Sequence, residues 1–277
     1  MTDQPQEQRD SRANATSVTA PVELRVGSWR FVRTLIGLCV GAELTFVFLD
    51  YHVNFGRLTD IGMLRRLSNI AREDSLASWF GNTQTLLIAF TLWLIYVGAR
   101  QQEVAPRRKR GWLILALFFS FMAVDDGVQL HETVGAVVDH FGDLTFPSYA
   151  WQFVILPFFL ALGLYILVFL WWVLERRSAR LLVLAALGCF GIAVGLDFVE
   201  GLDRDHAWNI TAWLADNIEL GDYTEYRFRE NAYDTLQHFA KSIEEFLEML
   251  ANTIFWYVFL GYLPEVFGEL RVRFTRN

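Results

Sequence analysis

The chain has 277 residues, of which 53% are apolar and 16% aromatic, with only 20% charged and a formal charge of −7. Its apolar share exceeds what one soluble core absorbs, and long charge-free runs exclude a disordered chain. The acidic balance excludes non-specific nucleic-acid binding, and Cys39 and Cys189, both inside apolar runs, support neither a disulfide framework nor a thiolate zinc site.

In chain order, residues 1–28 form a polar stretch rich in Gln, Arg, Ser and Thr that predicts a disordered cytoplasmic tail. Residues 29–264 then carry six segments long and apolar enough to cross a hydrocarbon core of about 30 Å. These cover residues 31–53, 77–99, 112–132, 150–174, 181–201 and 242–263. The first connection, 57–75, places Ile61, Leu64, Leu67 and Ala71 near one face behind a cap at Asp60, which predicts a short helix along the headgroups. Pro157 predicts a kink in the fourth helix, and Gly191 with Gly195 a face for close helix packing in the fifth. Residues 202–240 hold eight acids against three arginines, interspersed with Trp208, Trp213, Tyr223, Tyr226 and Tyr233, and read as a lid. Residues 265–277 are a basic C-terminal tail.

The expected architecture is thus an all-α polytopic membrane bundle. Arg100, Arg107, Arg108, Lys109 and Arg110 in one connection and Arg176, Arg177 and Arg180 in another mark the cytoplasmic side, giving an N-in, C-in topology, with the plasma (inner) membrane as its expected location. With this topology the outer half and outer loops hold 23 of the 31 acids.

Ionisable groups inside membrane helices are costly and mark sites or pathways. Here they lie on four helices: Glu43 on the first, Asp125, Asp126, His131 and Glu132 on the third, Asp197 and Glu200 on the fifth, and Glu245 and Glu248 on the sixth. Counting helical rise from the cytoplasmic ends puts Glu43, Asp125, Asp197 and Glu248 in one outer layer, about 18 to 24 Å up the core. Asp125, Gln129 and Glu132 share one stripe of the third helix, and His238, Lys241, Glu245, Glu248 and Asn252 form a polar seam on the sixth. Asp50, seven residues after Glu43, reads as interfacial, and Glu244 as the partner of Lys241.

Carboxylates crowded in low dielectric stay ionised only beside a cation. The set Glu43, Asp125, Glu132, Asp197, Glu200, Glu245 and Glu248 therefore predicts a divalent metal site for Mg, Mn, Zn or Fe, with Asp126, His131 and His238 moving protons. The leading expectation is a metal-dependent membrane enzyme open to the outer leaflet, hydrolysing or transferring a phosphoryl-type group on a membrane lipid or lipid-linked substrate. A cation- or proton-coupled transporter built on the same carboxylates is the alternative, and a metal-sensing or assembly subunit the third.

Overall fold

The computed structural model describes residues 28–102, 104–141 and 146–268. Apart from Ser28 and residues 265–268, the expected tails lie outside these residues. All regular structure among the described residues is helical. Helix α1 (Ser28–Leu49) continues into a π-helical segment (Asp50–Phe55) and is followed by α2 (Gly62–Ser68), α3 (Leu76–Gln101), α4 (Pro106–Val128) and α5 (Leu130–Phe141). Then come α6 (Ala150–Val173), α7 (Arg177–Glu200), the short α8 (Ile210–Asn217) and α9 (Gly221–Phe228), and α10 (Ala232–Phe267). Six of these, α1 with its π extension, α3, α4, α6, α7 and α10, are long and apolar enough to span a membrane.

Helix α10 is the axis of the bundle: α7, α3 and α1 pack along it, and α8 and α9 pack at its start. Six crossings return the chain to the end of the bundle at which α1 starts. Trp29 of α1 stacks near Tyr257 at 5.3 Å, Arg108 of α4 donates to the Tyr262 hydroxyl, and Gln102 donates to the Val266 carbonyl, all at one arginine-rich end. Next to that end lies an aromatic core. Trp112 packs on Phe169 at 5.2 Å and on Tyr262 at 4.7 Å, and Phe119 packs on Phe255 at 5.6 Å and on Phe259 at 5.9 Å. Such pairs contribute about 1 kcal/mol each beyond their burial, so this half of the bundle is a closed apolar plug.

Four expectations are corrected. The third spanning helix does not run to 132: Gln129 adopts the left-handed conformation (φ 54°, ψ 47°) and donates its N–H to the Asp125 carbonyl, closing α4 at Val128. The stripe Asp125, Gln129, Glu132 is therefore split between two helices. The sixth spanning helix begins ten residues before the apolar segment, at Ala232, where Asn231 caps it through the Asp234 N–H at 2.9 Å. The segment 202–240 is thus largely helical. Asp60 caps nothing, because the Ile61 N–H bonds to Thr59 Oγ1 and α2 starts only at Gly62. Finally, no atom of another helix lies within 4 Å of a Cβ placed on Gly191 or Gly195, whereas one placed on Gly111 would meet the Phe169 ring at 2.0 Å. Close packing therefore uses Gly111 under an aromatic ring, and the α7 glycines face outward. Helix α6 runs on through Pro157.

Candidate functional site

The polar seam of α10 meets a different helix at almost every turn. At the end remote from the arginines, the Lys241 ammonium lies among four carboxylates: 2.7 Å from Glu244 and 3.8 Å each from Asp197, Glu200 and Glu245. Asp197 and Glu200 share a face because three residues separate them on α7, and Lys241, Glu244 and Glu245 share one on α10 by the same 3.6-residue period. Gln152 of α6 donates to Asp197 Oδ2 at 2.7 Å, and the Tyr149 hydroxyl reaches Glu200 at 3.4 Å. Burial together with the Glu200 and Asp197 carboxylates pushes the Tyr149 phenol up to about 12, so it remains a hydroxyl donor at any ordinary pH.

The site is short of positive charge and of donors. Asp197, Glu200 and Glu244 each offer an oxygen, all within 4.8 Å of one another. Glu200 Oε2, Glu244 Oε2 and Gln152 Oε1 are buried with no hydrogen-bond partner, on side chains that include Glu244 at 4% and Gln152 at 1% exposure. Buried acceptors are almost always paired, so three orphans on side chains of one cluster call for a cation or another donor there.

On the other flank of the same turns, Asp50 is built in the opposite way. It is 1% exposed and accepts from Asn54 Nδ2 at 2.8 Å, Ser242 Oγ at 2.8 Å and His238 Nε2 at 2.9 Å, with the Ile70 N–H at 3.4 Å. The His238 ring stacks on Phe55 at 4.2 Å. Asp50 is thus a buried junction of the π segment, the chain after α2, and α10, rather than an interfacial group. The π-helical segment begins at Asp50, and π bulges often mark functional positions.

About 18 Å further along α10, by helical rise from Lys241 to Thr253, lies a second layer. There Glu43, fully buried, accepts from Thr253 Oγ1 and from Gln84 Nε2 at 3.0 Å, while Glu43 Oε2 and Gln84 Oε1 have no partner. Beside it Thr85 donates to Asp126 Oδ2 at 3.2 Å and accepts from Asn252 at 3.2 Å. The single carboxylate layer expected from helix counting is therefore two layers. The count failed because the helices begin before their apolar windows by unequal amounts, α1 at Ser28 and α4 at Pro106, so equal counts from the windows are not equal depths.

Of the expected site residues, the structure gathers Asp197, Glu200 and Glu245 around Lys241, holds His238 on Asp50, and sets Glu43 and Asp126 in the other layer. Asp125 is buried on α4, and Glu248 is partly buried one turn beyond Glu244. The side chains of His131 and Glu132, on α5, lie outside the described residues. Sequence reasoning missed Glu244 and Asp50 as site elements. The spacing of seven between Glu43 and Asp50, which puts both on the α10 side of α1, was the available signal.

The segment after α7 anchors over this end. Asn209 is 3% exposed, caps α8 through the Ala212 N–H at 2.9 Å, and donates to the Leu202 and Asp203 carbonyls at 3.2 Å, which fastens the start of α8 to the chain after α7. Arg57 pairs with Glu230 at 3.0 Å and Arg227 donates to the Gly56 carbonyl at 3.1 Å, tying α9 to the end of the π segment. Trp208, Ile210 and Trp213 remain exposed around α8. Two shallow grooves lie elsewhere, one between α6 and α7 at Trp171 and Leu184, the other at Trp29 and Tyr262.

No curated protein and no solved structure matches this chain. A family model does match, over residues 34–263, a range that holds every residue of both layers. By that match the chain belongs to the family of the domain of unknown function DUF8692.

Proposed function

We propose that this protein is a membrane-embedded, divalent-metal-dependent enzyme whose centre at Asp197, Glu200 and Glu244 acts on a lipid or lipid-linked substrate from the outer side of the membrane. The observation that carries this reading is the convergence of three carboxylate oxygens within 4.8 Å, with buried Glu200 Oε2, Glu244 Oε2 and Gln152 Oε1 left unpaired. Oxygens on opposite sides of an octahedral Mg²⁺ or Mn²⁺ stand about 4.2 Å apart and around Ca²⁺ about 4.6 to 5.2 Å, so an ion fits with little movement. The described donors are all oxygens, which favours these hard cations over Zn or Fe. Bound there, such an ion would polarise a phosphoryl or acyl oxygen and activate water, which supports hydrolysis or phosphoryl-type transfer.

His238, oriented by Asp50 through Nε2, is the proton-moving group best placed at this end; Asp126 lies in the other layer, bonded to Thr85. The arginine-rich end is cytoplasmic by the positive-inside rule, which sets the carboxylates near the outer headgroups of a cell (inner) membrane. Trp208, Ile210 and Trp213, exposed around α8 at the edge of the cluster, suit the headgroup boundary from which a lipid would approach. Metal analysis of purified protein tests the proposal: the wild type should hold a stoichiometric divalent ion, and Asp197→Asn and Glu244→Gln should lose it while remaining folded. Wild type that takes up no divalent ion when Mn²⁺ is supplied would end it.

A second reading, a proton- or cation-coupled transporter, draws on Glu43, which lies about halfway along its helix, fully buried with an unpaired oxygen. Against it stands the aromatic plug around Trp112, Phe119 and Phe259, which carries no charge onward. Flux into liposomes that vanishes in Glu43→Gln would promote it over the enzyme.

A further inference from the structure

The proposed metal centre already contains a cation. Lys241 Nζ stands 2.7 Å from Glu244 and 3.8 Å from Asp197, Glu200 and Glu245, close to where a metal bound by the first three would sit. One positive charge faces four carboxylates. It makes one close contact and leaves Glu200 Oε2 and Glu244 Oε2 without hydrogen bonds, although Glu244 is 4% exposed and Gln152, also orphaned at Oε1, is 1% exposed. An ammonium has only three donors on a flexible stem, whereas a divalent ion takes six or more oxygens and twice the charge. Lysine thus satisfies the site enough to keep it folded and too little to close it.

We infer that Lys241 is a built-in counter-ion that occupies the metal position and is displaced when a divalent cation binds, so that ammonium and metal are mutually exclusive at this site. The inference rests on the metal reading above and adds its regulation. Its chemistry is exchange alone: no covalent bond changes, the four-carbon stem swings out, and the carboxylates pass from one cation to another. Displaced but still tethered beside the ion, the ammonium becomes the local positive group for an anionic moiety, a phosphate or a carboxylate, on the substrate. The protein is therefore stable without metal, and metal affinity is set by the competition rather than by the carboxylates alone.

The test uses full-length protein in detergent with Mn²⁺ alone as the probe, followed by electron paramagnetic resonance and by thermal unfolding with Mn²⁺ or with chelator. Lys241→Met should bind Mn²⁺ at least about tenfold more tightly than wild type, since the competing charge is gone. It should also unfold earlier in chelator and recover in Mn²⁺, because its carboxylates then depend on an added cation. If it does not fold in chelator it is purified in Mn²⁺, and the affinity is compared there. Equal or weaker binding in Lys241→Met while the wild type binds would overturn the exchange and leave the metal centre standing. Binding in neither protein overturns both, and a Lys241→Met protein that Mn²⁺ fails to stabilise assigns the lysine a purely structural role.

Discussion

The two acidic groups that flank the first turns of α10 are both buried and both made of carboxylates, yet they are finished differently. Asp50 meets three side-chain donors and a backbone N–H, and no oxygen of its group lacks a bond. The Asp197, Glu200 and Glu244 group, across the same helix, ends in unpaired oxygens around a single lysine. A completed network rigidifies a junction, while an incomplete one is costly unless something else completes it. Burial of charge alone therefore does not identify a site here; the balance of donors and acceptors does.

The sharpest way to break this contrast is at Asp50. Asp50→Ala strands His238, Ser242 and Asn54 and should lower stability by about 3 kcal/mol or more, read as an earlier thermal transition in detergent. If Asp50→Ala is harmless, the junction is not structural. Glu244→Gln should act oppositely in chelator, within about 1 kcal/mol of wild type or more stable, because it removes an under-compensated buried charge. The same change should abolish metal binding, separating site from scaffold. Glu43→Gln, nearly isosteric, should shift stability by about 1 kcal/mol or less, since its partners Thr253 and Gln84 can both donate or accept. A larger loss would show that Glu43 holds a cation of its own.

The smallest effect belongs to the surface. The Arg72 and Arg66 guanidinium groups hold the exposed Asp74 carboxyl well below the usual carboxylate range, Arg72 contributing first. A depressed acid stabilises the fold above the ordinary aspartate pKa and loses that contribution as pH falls through its own lowered value. Asp74→Asn should therefore melt slightly earlier than wild type at neutral pH, and the gap should close only in strong acid. Solvent and salt screening keep the gap small.

Much of the fold was legible in the residues. Six long apolar runs can hide their backbone in a bilayer only as helices, and the arginines of residues 100–110 and 176–180 do gather at one end. The acid-bearing helices were likewise readable, as was the seam His238, Lys241, Glu245 on α10. What was not readable was depth and pairing. Hydropathy stops at the first charged residue, so α10 was begun at 242 rather than 232, although its polar first turns are stabilised by Asn231, Asp50 and the α7 carboxylates. A left-handed Gln129 broke α4 at a residue type that gives little warning of it.

The sequence by itself determined that this is an α-helical membrane bundle with its acids crowded toward one end, because hydrophobic length and charge placement are properties of the chain taken locally. Only the tertiary structure decided which acids meet. Whether Asp50 finds four donors, whether Glu43 stands alone with Gln84 and Thr253, and whether Lys241 sits among four carboxylates depends on the register of α1 and α7 against α10. That register is set by packing across distant segments, and no spacing along a single helix encodes it.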